Sequence, residues 1–167
     1  LTATVPYGGI PCGLDPTVSD NDDSSVFSVT GTWSASSAQP NRFCEGTYRF
    51  LFGNASPGTA TWSLQTPQSG IYRISIWYPE AFNRATDAPF TVFHRDGSTT
   101  ISVNQQINGG EWFELGEFPF VLDASERVEL TNVGISNPSL LVVGDAVRAE
   151  LITPFNASVA DWEAVTY

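Results

Sequence analysis

The residues with chemistry to offer are few. His94 is the only histidine, and Cys12 and Cys44 are the only cysteines, in a chain of 167 residues. No G-x-S-x-G nucleophile elbow and no H-E-x-x-H metal motif occurs. Glu111, Glu114 and Glu117 surround Trp112. Glycoside hydrolysis needs two carboxylates at a defined separation, which this spacing does not specify. The chain therefore reads as non-catalytic. Asp145 sits inside an apolar run. Burial would raise its pKa, whereas Arg148 or backbone donors would lower it. It reads as a structural hydrogen-bonding residue.

Binding chemistry is better represented. A sugar site needs an aromatic face to stack on and planar polar groups for the hydroxyls. Trp77 and Phe93 point away from the apolar stripes of their strands. Asn104 and Gln106 share one strand face, and Trp112 follows Gly109-Gly110. These five residues are the glycan-binding candidates. Asp20, Asp22 and Asp23 are weak Ca²⁺ candidates, because the cluster lacks the Gly and the distal Glu of a twelve-residue calcium loop. A solvated turn fits them better. No cofactor is called for beyond such a structural ion. The spacing argues against a metal site made from the two cysteines and His94, since no C-x-x-C pair exists.

Cys12 and Cys44 in a Thr/Ser/Gly/Pro-rich chain suggest an oxidising compartment. A bridge between them would stabilise the fold by about 3–4 kcal/mol in the chain-entropy model. Two free buried thiols are the alternative. Asn54-Ala55-Ser56, weakened by Pro57, and Asn156-Ala157-Ser158 are glycosylation sequons.

Eighteen acidic residues against seven basic ones give a net charge of −11, and every basic residue is an arginine. This argues against nucleic acid and anionic membranes as partners. No apolar run is long enough for a membrane-spanning helix, and no signal peptide is visible. A chain that begins at Leu1 and has no Met reads as a processed product.

The elements that must position these residues are strands. Ala88 to Trp112 contains the clearest one, a hairpin. Phe90, Val92 and His94 alternate with Thr91, Phe93 and Arg95, and Asp96-Gly97 predicts a two-residue type I′ turn. That turn sets His94 against Thr99, Val92 against Ile101 and Phe90 against Val103, and places His94 on the rim of the core-facing stripe. Further strands are expected over 26–29, 32–34, 46–52 (with Tyr48, Phe50 and Phe52 on one face), 59–65, 70–78, 112–122, 127–133 and 140–151. No long segment carries a helical period, so the class is an all-β sandwich or barrel with antiparallel pairing.

Residues 1–18 read as an extended arm rather than core. Leu1, Ala3 and Val5 alternate with polar residues and could form a donor strand over residues 1–5, after which Pro and Gly forbid regular structure. Residues 19–151 are the expected sandwich domain. Residues 152–167 form a short tail in which Asp161 could cap a helical turn.

Asn83-Arg84-Ala85, Ala88 to Val92, His94, Asp96-Gly97, Val103 to Gln106, Asn108 to Gly110, Trp112 and Leu115-Gly116 resemble the golvesin C-terminal-like domain, the carbohydrate-binding-like module of some xanthan lyases. Asp20 to Asp22, Phe27 to Trp33, Ala60 to Trp62, Gly70 to Tyr72, Trp77 to Pro79 and Gly144 to Arg148 fit the same pattern, so the resemblance spans about residues 20–150. It implies a jelly-roll-like antiparallel β-sandwich that is secreted and usually appended to larger bacterial extracellular proteins, without agreed catalytic residues. The Cys12 arm, Cys44 and the tail depart from it.

Two functions follow. The first is an extracellular or cell-surface structural module that self-assembles as a fibre or surface-layer subunit. Leu1, Ala3 and Val5 would add a strand to a neighbouring copy or to another extracellular protein. The alternative is a carbohydrate-binding module on a secreted protein, with polysaccharide as partner.

Overall fold

In the computed structural model, residues 14–123 and 125–156 are described. Among them the alternating runs become twelve strands and one 3-10 turn. The strands are β1 (Val18–Asp20), β2 (Phe27–Thr30), β3 (Ser34–Ser36), β4 (Tyr48–Phe52), β5 (Thr59–Ser63), β6 (Gly70–Trp77), β7 (Ala88–His94), β8 (Gly97–Val103), β9 (Phe113–Phe120), β10 (Arg127–Thr131), β11 (Leu141–Gly144) and β12 (Ala146–Pro154). The turn covers Phe43–Glu45. All strand pairs are antiparallel: a four-stranded sheet β1-β12-β6-β9, a five-stranded sheet β2-β5-β10-β7-β8 and a three-stranded sheet β11-β4-β3. The molecule is an all-β antiparallel sandwich.

Period-two burial explains the core. Tyr72, Ile74 and Ile76 of β6 and Val147 and Ala149 of β12 join Trp62 of β5, Phe90 and Val92 of β7 and Val128 and Leu130 of β10 in one hydrophobic cluster. Full burial of a large apolar side chain contributes about 1.5–3 kcal/mol. The indole Nε1 of buried Trp62 donates to the Asp145 carbonyl at 3.2 Å, so the core's largest ring also has its polar atom satisfied.

Several expectations need correction. The hairpin corner is Arg95-Asp96, and only Gly97 there has positive φ (121°), so the turn is not type I′. Val92 therefore pairs with Thr99, Phe90 with Ile101 and His94 with Gly97, two residues from the expected register. A shift of two preserves side-chain parity, which is why Phe90, Val92 and Val103 still face the core. His94 still reaches Thr99, diagonally, with Nε2 to Oγ1 at 2.9 Å.

Residues 140–151 are not one strand. Asp145 divides β11 from β12, which belong to different sheets. Of the acidic stretch expected as a turn, only Asp20 lies in a strand, β1, whose Val18 pairs with Arg148 and Asp20 with Ala146; Asn21 and Asp22 form the turn that follows. Strand β12 runs on to Pro154, into the expected tail. In β4 Tyr48, Phe50 and Phe52 do share a face, with ring centroids 6.4 and 6.1 Å apart in turn, but Phe52 is exposed and Leu51 is buried. The proposed donor residues Leu1, Ala3 and Val5 lie outside the described residues, as do Cys12 and Asp161.

Candidate ligand-binding site

The outward face of the four-stranded sheet carries the candidate site. On β6, Arg73, Ser75 and Trp77 project opposite to the core residues Tyr72, Ile74 and Ile76. Ser75 pairs with Arg148 of β12 and with Glu114 of β9, and Arg73 pairs with Glu150 and Glu117. A register shift between Ile74 and Ser75, opposite Glu114 to Gly116, bends β9 at this point.

Trp112 comes from the loop that carries the chain from β8 back to β9. Gly110, at φ 71°, makes the bend that an L-residue with a Cβ would resist. Its N–H donates to the Tyr78 carbonyl at 2.9 Å. Trp112 then meets Trp77 edge-on, with centroids 5.5 Å apart and planes at 80°. Phe43, from the 3-10 turn, closes the trio at 5.6 Å from Trp77 and 5.3 Å from Trp112. The Trp77 indole N–H donates to the Asn41 carbonyl at 2.9 Å, which orients that ring. The Arg148 guanidinium lies 4.6 Å from the Trp112 centroid and bonds Glu150 at 3.0 Å. Trp77, Gly110, Glu111, Trp112 and Arg148 line an open pocket of about 330 Å³.

Phe43 is held there by a buried hydrogen bond. Its backbone N–H donates to Oδ2 of fully buried Asp145 at 2.8 Å. Burial pushes the Asp145 carboxyl well above its ordinary pKa; the Phe43 N–H pulls it back, and Asp20 and Asp22 push it further up. Asp20 itself is raised to about 6, chiefly by burial. With its NH₂ turned inward, the Asn21 amide donates to the Thr47 carbonyl at 2.7 Å and to Asp145 Oδ1 at 3.2 Å. Arg42 ties the same turn together through the Gly46 carbonyl at 2.6 Å and the Ser37 carbonyl at 2.7 Å. Asp145 is thus the structural hydrogen-bonding residue that the sequence suggests.

Only two of the five glycan candidates come together. Trp77 and Trp112 are neighbours. Phe93 lies on the five-stranded sheet, under the Arg127 guanidinium at 3.7 Å. Asn104 and Gln106 fall after β8 ends, so they share no strand face. Asn104 Oδ1 accepts from the Gln106 N–H at 3.0 Å, and the Gln106 amide donates to the Phe82 and Arg84 carbonyls, both at 2.9 Å. Between them, buried Gln105 bonds Val143 in both directions. The polar run builds a turn. Phe43 and Arg148 were missed as site residues: nothing local links positions 43, 77, 112 and 148, which only sheet pairing and the Asp145 bond bring together.

The calcium candidates do not gather as an ion site either. Asp22 Oδ2 accepts from the Thr47 N–H at 2.7 Å and Oδ1 from the Thr47 hydroxyl. Asp23 accepts from the Ser25 N–H and hydroxyl. Among the described residues no group of three or more His, Cys, Asp or Glu side chains is arranged to hold a metal ion. Asn54 and Asn156 are both exposed. Among the described residues no helix is long and apolar enough to cross a membrane.

An antiparallel sandwich with half-buried aromatic side chains beside a pocket at one end of a sheet defines a class of β-sandwich module. Within that class, residues 17–151 match the model of the golvesin C-terminal domain, and the chain belongs to that family. It is 32% identical over 137 residues to the xanthan lyase of Bacillus sp. (strain GL1), covering 81% of this chain and 14% of that protein. To golvesin of Dictyostelium discoideum it is 30% identical over 103 residues, covering 60% of this chain and 17% of that protein. The chain thus spans only a small part of the curated relatives it matches. Among solved structures, a Paenibacillus xanthan lyase superposes with a TM-score of 0.74 at 30% identity, over 81% of this chain and 13% of that one. An exo-β-1,3-galactanase from Phanerochaete chrysosporium shares the fold at a TM-score of 0.51 and 13% identity, over 80% of this chain and 29% of that one.

Proposed function

We propose that this domain is a non-catalytic carbohydrate-binding module of a larger extracellular protein. The observation that carries the reading is the pocket beside the Trp77–Trp112 pair, on an outward sheet face, with Glu111 at its rim. Aromatic surface there would stack on a sugar ring, and the carboxylate would accept from hydroxyls. Membership of a family that includes part of a xanthan lyase supports it. Exposed Asn54 and Asn156 are compatible with an extracellular setting, where mass spectrometry would detect their glycans.

The test is migration of the 167-residue chain through native gels containing polysaccharides. Retardation is expected for the parent. Trp77→Ala and Trp112→Ala should migrate freely while remaining folded, as a single cooperative urea transition would show. A parent chain that no polysaccharide retards would remove this reading. Self-assembly through Leu1, Ala3 and Val5 has nothing among the described residues to support it, and the curated relatives contain the matched stretch as a small part of their length.

A further inference from the structure

We infer that the pocket takes uncharged, hydroxyl-rich sugars and discriminates against polyanionic ones, an inference that rests on the carbohydrate reading above. The deciding residue is Arg148, the one cation among the described residues that line the pocket. A guanidinium in a sugar site ordinarily signals a carboxylate-bearing ligand. Here it is already engaged. One Nη bonds Glu150 at 3.0 Å, the plane rests over Trp112, and the side chain is only 17% exposed. Its Nε is buried without a partner, out of reach of a ligand carboxylate.

The surroundings are acidic. Glu111 is exposed at the pocket wall. Farther along the same sheet face, Arg73 is shared between Glu114 at 3.5 Å and Glu117 at 2.8 Å, leaving that group with net negative charge. On the other side of Phe43, a second cavity is lined by Asp15, Asp20, Asp22 and Asp23. The whole chain carries −11. A polyanion approaching Trp77 would meet the Glu111 carboxylate at the pocket wall and the field of the acidic groups around it, screened over roughly 8–10 Å in ordinary buffer. A neutral sugar meets no such penalty, and its hydroxyls can donate to Glu111.

The test compares one neutral polysaccharide with the same polymer after oxidation of its primary alcohols to carboxylates. Gel retardation is measured at about 20 mM and about 0.5 M salt. The neutral form should bind equally at both. The oxidised form should bind roughly tenfold more weakly at low salt and recover as the charges are screened. Glu111→Gln should narrow that gap and weaken neutral binding. If the oxidised polymer binds as well as the neutral one at low salt, the charge discrimination is overturned and the carbohydrate reading stands. A deficit that high salt does not recover also overturns it, since its cause is then not electrostatic. If neither form of any polymer is retained, the carbohydrate reading falls and takes this inference with it.

Discussion

The two outward aromatic regions of the molecule differ in what already occupies them. On the β7–β8 hairpin, Phe93 is capped by Arg127 at 3.7 Å and Thr91 bonds Thr100 at 2.8 Å. Each outward group is answered by a neighbour. At the end of β6, Phe43 and the Arg148 guanidinium also lie against Trp77 and Trp112, yet a pocket of about 330 Å³ stays open beside the pair. An aromatic side chain on a solvent-facing strand position is therefore not enough to mark a site. What matters is whether the fold's own cations and rings leave an open pocket beside it.

The sharpest way to break this contrast is to attack the frame that holds the site end together. Gln105 is fully buried, donates to the Val143 carbonyl at 2.6 Å and accepts from the Val143 N–H at 2.9 Å. Gln105→Ala would strand two buried backbone groups and leave a cavity, at a cost of about 2–4 kcal/mol. Urea denaturation should show that loss. A change below about 0.5 kcal/mol would mean that the loop carrying Trp112 is not anchored there.

How much of this was legible beforehand depended on range. The alternation in β6 and β7 identifies their buried faces directly, because period two is a property of one strand. The all-β class and the family follow from the sequence too. The hairpin register did not, because placing the corner at Arg95-Asp96 rather than Asp96-Gly97 changes every partner without changing any face. Strand β1 was hidden in Val18-Ser19-Asp20, which lacks the apolar content of a strand and is defined by its partner β12. The site itself was half legible. Trp77 and Trp112 announce themselves as large outward residues, whereas Phe43 arrives through a bond to Asp145, 102 positions away.

Acidity separates the two regions next. Asp20, behind the Phe43 wall, is raised to about 6, while Asp96 on the hairpin is lowered by its bond to Arg95. A carboxyl raised on folding adds stability that is complete below its unfolded value near 4 and is lost as pH climbs through about 6. Asp145, raised in the same way, acts in the same direction. Asp23, Asp96 and Asp123 act oppositely, so the parent's own curve is a mixture. The difference between parent and Asp20→Asn removes this group together with its push on Asp145. An asparagine side chain at that position cannot ionise, so the variant should gain relative to the parent between about pH 4 and pH 7, by about 1–2 kcal/mol after discounting for solvent. A difference that stays flat across that window would remove Asp20 as a titrating group.

Binding itself gives a third separation. Trp77→Ala should weaken retention on a bound polysaccharide by about tenfold or more, equivalent to about 1.4 kcal/mol. Phe93→Ala should leave retention unchanged, because Arg127 already fills the space above that ring. Equal losses in both variants would mean that the ligand lies across the five-stranded sheet instead.

The smallest effect belongs to the hairpin tip. Gly97 has φ 121°, and a Cβ built there meets nothing within 4 Å. Gly97→Ala therefore tests backbone conformation without steric conflict, and should cost about 1 kcal/mol because an L-residue disfavours that φ. Urea midpoints measure it. Retention on polysaccharide should not change, since the tip belongs to the edge strand β8 and the pocket to the outward face of the other sheet. A stability loss without a binding loss would establish that the tip of the hairpin, the most recognisable stretch of the sequence, supports the fold and not the retention on polysaccharide.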